Sequence, residues 1–184
     1  MAFGSLWLPV VLSTLAVVVA SFISCMALPH HRSDYKKLPD EDAVLDALRK
    51  QSAAAGMYMA PGCNHRERKD PAVLEKMKRG PMALIALCTK PPNMGKALGF
   101  WFLYCFLVSF FTAYVARHSL MPGAAGLMVM RITATTAAAA HVLGNMPQSI
   151  WGGHPWSHSL KGMADGLVYA LITSALFAWL WPAA

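Results

Sequence analysis

Outside one block, the sequence is nearly without charge. Only 14% of its 184 residues are Asp, Glu, Lys or Arg, where soluble domains carry about 25%. Thirteen of the 16 Lys and Arg lie between Arg32 and Lys96, mixed with eight of the nine acids. No basic residue precedes the first apolar run, so the basic leader of a cleavable signal peptide is missing. Phe22-Ile23-Ser24-Cys25 has the outline of a lipoprotein processing site. Its Phe suits the first position poorly and the basic leader is again absent, which favours an uncleaved helix. Cysteine is scarce. Cys25 and Cys105 fall in apolar runs, where Cys acts as a small hydrophobe. Cys63 and Cys88 lie in the polar block, and the reducing setting expected for that block argues against a disulfide. The phosphate-cradling loop, the dinucleotide fingerprint, GxSxG and HExxH are all lacking, so the sequence assigns no catalytic residue.

What the chain does have is long apolar runs. Hydrophobic residues make up 56% of it. Ser5 to Leu28, Ala97 to Ala116, Pro122 to Gly144 and Leu160 to Trp181 each have about the length needed to cross a bilayer. The expected fold is a membrane all-α bundle of four transmembrane helices, with a small α+β cytoplasmic insertion between helices 1 and 2. Residues 1–28 form helix 1, with a kink expected at Pro9; residues 29–96 form the polar insertion, and residues 97–184 hold helices 2–4. The net charge of +7 raises nucleic acid as a partner. Its placement, mixed with acids beside apolar spans, reads instead as a solvated face and a topology signal. By the positive-inside rule the block is cytoplasmic and both termini lie outside, in a bacterial inner membrane.

The insertion carries its own punctuation. Asp40-Glu41-Asp42 opens a helix near 40–51 whose acidic first turn meets the helix dipole, and Arg49-Lys50 closes it. Asp70 and Pro71 start a second helix over 70–79, and Gly80 follows it. Residues 82–88 read as a short strand that pairs with 57–60, or as a segment on the membrane surface. These elements supply a thin core, so the insertion is expected to dock on the membrane, the other helices or a partner.

The third span is built from Ala, Gly and Thr, the residues that let helices approach closely in lipid. It also carries Arg131 and His141. On the fourth span Lys161, Asp165, Tyr169 and Thr173 recur every four residues, marking one stripe. Matching depths across antiparallel spans places Arg131 and Asp165 in the interior, with His141 nearer Asp165 and Tyr169 on the same seam. Intramembrane charge is retained where it faces protein or water. Arg131, His141, Asp165, Lys161 and Tyr169 are therefore candidates for binding an anionic headgroup or relaying a proton, or for a polar network that fixes helix register. Gly162 and Gly166 form a GxxxG expected to seat the third helix. Trp151, His154, Trp156 and His158 mark an interfacial loop. No metal or cofactor is expected: His118 and His141 fall at opposite surfaces, while neither His141 with His154 and His158 nor Cys63-Asn64-His65 with Cys88 has convincing ligand spacing.

The leading functional expectation is a small integral membrane scaffold or accessory subunit that holds a protein partner at the cytoplasmic surface, in contact with the bilayer and not with nucleic acid. A transporter or channel using the Arg131–His141–Asp165 seam is the alternative. A membrane enzyme acting on lipid headgroups through the Trp151–His158 loop is the third.

Overall fold

The computed structural model describes residues 3–64, 66–67, 69–88 and 90–183, the side chain of Phe3 aside. In chain order the elements are α1 (Trp7–Phe22), α2 (Glu41–Lys50), β1 (Gly56–Ala60), α3 (Pro71–Arg79), β2 (Ala83–Leu87), α4 (Met94–Ser119), α5 (Gly126–His141), α6 (Met146–Ile150) and α7 (Trp156–Trp179). The protein is mostly helical, and among the described residues four helical stretches are long and apolar enough to cross a membrane: Gly4–Ala27, Met94–Ser119, Gly126–Ile150 and Trp156–Trp179. The chain divides into two units, Met1–Tyr35 with Asn93–Ala184, and Lys36–Pro92.

The first unit contains α1 and α4 to α7. Pro9 is the third residue of α1, just after a 3-10 turn at Phe3–Leu6, and so falls in the first turn of the helix, where proline is tolerated. After Phe22 the helix widens into a π turn over Ile23–Ala27, and a 3-10 turn follows at Pro29–Ser33. Three apolar layers fill the interior. At the end where α1 begins lie Leu6, Val10, Ala113, Ala116, Val129 and Phe177; Val108, Ala137 and Ala170 follow, then Val17, Cys105 and Tyr169. The layers are interleaved with buried hydroxyls. Those of Thr14 and Thr133 donate to the carbonyls of Val10 and Val129, both at 2.7 Å, which satisfies them within their own helices. Ser13 also donates to Ser109 across α1 and α4 at 3.1 Å.

At the GxxxG, α7 meets the end of α5 and the residues just after it at close range. A Cβ on Gly166 would overlap the backbone carbonyl of His141, and one on Gly162 would stand 2.8 Å from Asn145 Oδ1. That His141 carbonyl also accepts from Asn145 Nδ2 at 2.7 Å. The small residues of the last span thus let the C-terminal end of α5 press backbone to backbone against α7.

In the second unit Asp40 caps α2 by accepting from Ala43 N, and Asp70 caps α3 by accepting from Ala72 N. Gly80 ends α3 at φ +55°, a conformation that suits a residue without Cβ. β1 and β2 pair antiparallel, Met57 opposite Ala86 and Met59 opposite Leu84. No described residue of Lys36–Pro92 is buried.

Gly166→Ala is expected to cost more than Gly162→Ala in a thermal melt of the detergent-solubilised protein. Gly166 faces backbone, and overpacking of this kind costs about 1–3 kcal/mol; Gly162 faces an amide side chain that can turn away. Equal losses at the two positions would refute the close contact at Gly166.

Candidate functional site

Asp34 organises a cluster of ionisable groups at the end of the first unit where α1 exits. Its side chain is 4% exposed. Lys161 Nζ donates to Asp34 Oδ1 at 2.6 Å and to Ser33 Oγ at 2.8 Å. His31 Nδ1 lies 2.6 Å and His158 Nδ1 3.1 Å from Asp34 Oδ2. The other side of the His31 ring faces Asp165, with Nε2 2.6 Å from Oδ2. His30 Nε2 reaches the second oxygen of the same carboxylate, Oδ1, at 3.2 Å, and lies 3.4 Å from Ser24 Oγ.

The local structure explains the convergence. Asp165, Lys161 and His158 are spaced i, i−4 and i−7 along α7, so they share one face of its first turns. The π turn leaves Ser24 buried beneath the loop, and the 3-10 turn at Pro29–Ser33 carries His30 and His31 toward that face. Their rings lie 4.2 Å apart.

The geometry around His31 favours its protonated form. A neutral imidazole donates from one nitrogen only, yet both nitrogens face a carboxylate oxygen at 2.6 Å. An imidazolium donates from both nitrogens and so satisfies Asp34 and Asp165 together. Partial burial disfavours the cation, but hydrogen bonds to Asp165 and Asp34 and their charges outweigh it, raising the pKa of His31 above the ordinary 6.5. The hydrogen bonds from Lys161 and His31 hold the Asp34 carboxyl well below the usual carboxylate range, against the opposing effect of burial.

A second group surrounds His141, which is buried at the C-terminal end of α5. Its ring meets Tyr104 and Tyr169 edge-on, at centroid distances of 5.5 and 5.6 Å. Tyr104 stacks on Trp101, and the Trp101 indole donates to Ser21 Oγ at 2.8 Å. His141 is thus level with Trp101 and Tyr104, as depth matching predicts.

The candidate residues therefore separate into groups. Lys161 and Asp165 enter the Asp34 cluster, while Tyr169 and His141 pack together. Arg131 is exposed, which corrects the expectation that it faces the interior; six residues into α5, its long side chain is placed where it can snorkel toward an interface. Of the interfacial residues, Trp151, His154 and Trp156 are exposed. His158 belongs to α7, which has Pro155 at its N-cap position. His154 and His158 lie 5.5 Å apart by ring centroid. Cys63 and Cys88 are free thiols, and His65 lies outside the described residues.

Sequence reasoning missed His30, His31 and Asp34, which it grouped with the insertion from Pro29 onward. The available signal was His-His-x-x-Asp at the exit of one apolar span, with His158, Lys161 and Asp165 at helical spacing on the start of another. Among the described residues, one group can hold a metal ion: His30, His31 and Asp165, whose donor atoms lie within 4.8 Å of one another.

Comparisons with protein-family models, with curated proteins and with solved structures give no match.

The two pKa displacements set a pH window for its stability. His31, raised, contributes fully below about 6.5 and loses its contribution as pH rises through the folded value. Asp34, lowered, contributes above about 3.8 and loses its share as pH falls through the folded value. In chelator-containing detergent buffer the melting temperature is expected to fall as pH is raised from about 6 to about 9. His31→Gln should flatten that fall; parallel pH profiles for the two proteins would exclude the bridging imidazolium.

Proposed function

We propose that the protein is a small integral membrane scaffold or accessory subunit. In this reading its four long helices form a transmembrane bundle in a bacterial inner membrane, its insertion is cytoplasmic and its chain ends are outside. The insertion holds a protein partner at the membrane surface.

The observation that carries the reading is the insertion's missing core. Lys36–Pro92 has two capped helices and a paired hairpin, yet none of its described residues is buried. Met57, Met59 and Leu84 lie on one face of the hairpin by register and stay 66%, 53% and 45% exposed. Val44, Leu45 and Leu74 on the helices are exposed as well. Local signals this definite, joined to apolar faces that cover nothing within the unit, suit a module completed by contact with something else. Its 57 residues are near the size at which a lone core becomes marginal.

The transporter reading keeps one supporting observation. Ser13, Ser109, Thr112, Thr133, Thr173 and Ser174 are all buried in the four-helix unit. The hydroxyls of Thr112 and Thr173 have no hydrogen-bond partner among the described residues. Polar groups kept inside a membrane bundle are the usual makings of a solute or proton path.

Purification from native membranes in mild detergent separates the two. A scaffold is expected to elute with a stoichiometric protein partner, and Met57→Ser with Met59→Ser should release that partner while the helical unit elutes unchanged. Recovery as a lone monomer that moves solute when reconstituted would overturn the scaffold and favour the transporter. The proposed orientation has its own test, a reporter active only outside the cytoplasm. Fused after Leu48 it should be silent, and fused after Ala184 it should be active; the reverse pattern would invert the topology.

A further inference from the structure

We propose that His30, His31 and Asp165 form a binding site for a divalent transition-metal ion of the zinc class, with Asp34 as the residue that orients His31. The site goes beyond the scaffold reading and stands whether or not the insertion holds a partner.

The donor set comes first. One ring nitrogen each of His30 and His31 and one carboxylate oxygen of Asp165 lie within 4.8 Å of one another. Two imidazoles and one carboxylate suit Zn2+, Co2+, Ni2+ or Fe2+, whereas Mg2+ and Ca2+ prefer oxygen alone. The spacing comes next. An ion with tetrahedral bonds of about 2.0 Å holds neighbouring donors about 3.3 Å apart. His30 Nε2 and Asp165 Oδ1 already stand at 3.2 Å. His31 Nε2 and Asp165 Oδ2, at 2.6 Å, need to open by about 0.7 Å to reach that separation. A lone pair and a carboxylate oxygen that face each other so closely require an electrophile between them, and a metal ion can take the place of the proton.

The surroundings match those of a metal site. Metal-bound His characteristically donates its other ring N–H to a carboxylate, which fixes the ring and the tautomer. His31 Nδ1 does this toward Asp34 at 2.6 Å. Asp34 is in turn held by Lys161 and His158, so the orienting carboxylate cannot itself swing in as a ligand without breaking those bonds. A purely structural ion pair explains His31 between two carboxylates. The adjacent His30 also turns its Nε2 onto Asp165, which brings a second imidazole to the same carboxylate. Three protein donors leave further coordination positions open, and His30, with its side chain 32% exposed, lies on the side from which an ion can enter.

The test uses the full-length protein in mild detergent, treated with chelator and desalted, then titrated with Co2+ and afterwards with Zn2+. One Co2+ per chain is expected to bind with a visible ligand-field band, which Zn2+ displaces and which excess Mg2+ or Ca2+ leaves in place. His30→Gln, His31→Gln and Asp165→Asn should each abolish the band. Asp34→Asn should weaken binding by roughly 10–100-fold, as loss of an orienting carboxylate does. His118→Gln and His154→Gln should change nothing. Elution volume and far-ultraviolet circular dichroism report folding in each variant; His30→Gln, at the most exposed ligand, keeps the test decisive should Asp34→Asn or Asp165→Asn fail to fold. A native protein that gives no Co2+ band overturns the site. So does a band that survives His30→Gln, or one lost in His154→Gln.

Discussion

The Asp34 carboxylate is the group on which the ionisable end of the structure depends. A carboxylate taken out of water is costly unless its charge and its lone pairs are met, and here Lys161, His31 and His158 meet them. Those partners come from two places far apart in sequence, the turn after α1 and the first turns of α7. The ion pairs therefore join the exit of the first long helix to the entry of the last. Remove the carboxylate and Lys161 loses its counter-charge, His31 loses the bond that orients it, and Asp165 keeps its partners without a fixed geometry. The turn at Pro29–Ser33 has no apolar residue buried in it, so these polar contacts are what hold it in place.

Deeper in the helical unit the same requirement is met more cheaply. The Thr133 hydroxyl bonds to the carbonyl a turn behind it, and Ser13 does the same while also reaching Ser109. Such bonds let an interior of small residues contain oxygen without ions. They also release volume. Where Gly166 faces the His141 carbonyl, the helices meet by backbone, and van der Waals contact replaces the large interdigitated side chains of a soluble core. The Leu and Phe residues are displaced outward as a result: Phe102, Leu103, Leu107 and Phe111 of α4 and Leu167, Val168 and Leu171 of α7 are exposed. In water that inversion would be unstable, and it fits an apolar surrounding.

Local signals carried the elements well because local physics decides them. The capping oxygens of Asp40 and Asp70 and the left-handed Gly80 are properties of a few consecutive residues, and the structure places them as the sequence implies. The pairing of 57–60 with 83–86 followed from two short β-prone runs with turns between them. The start of α4 was set three residues late, because the Asn93 cap, which accepts from Lys96 N, lies ahead of the apolar run. Sites were less legible. Arg131 was assigned inward from the cost of charge in hydrocarbon, but a side chain that long near a helix end can avoid the cost by reaching outward. His30 and His31 were grouped with the charged block because they adjoin it, and only the turn after α1 reveals that they fold back onto α7. The stripe on α7 was correct as a stripe. Its partner was misassigned, since depth matching pairs spans and overlooks the loops that cap them.

The insertion sets the opposite problem from Asp34. Its helices span 10 and 9 residues, short of the about 12–15 at which isolated helices become even marginal in water. Its sheet is a single hairpin of five-residue strands, also marginal alone. Caps and turn residues determine which shape is lowest in energy for such a segment. They supply about a few kcal/mol at most, against a conformational entropy cost of roughly 1–2 kcal/mol per ordered residue. The shape is therefore specified locally while the stability has to come from outside the segment. That division makes the exposed faces of Met57, Met59, Val44 and Leu45 informative: they are the apolar area still available to offset the entropy. On the proposed reading, a partner that covers them would stabilise the fold of the insertion in the same step, linking the binding and folding of this unit thermodynamically.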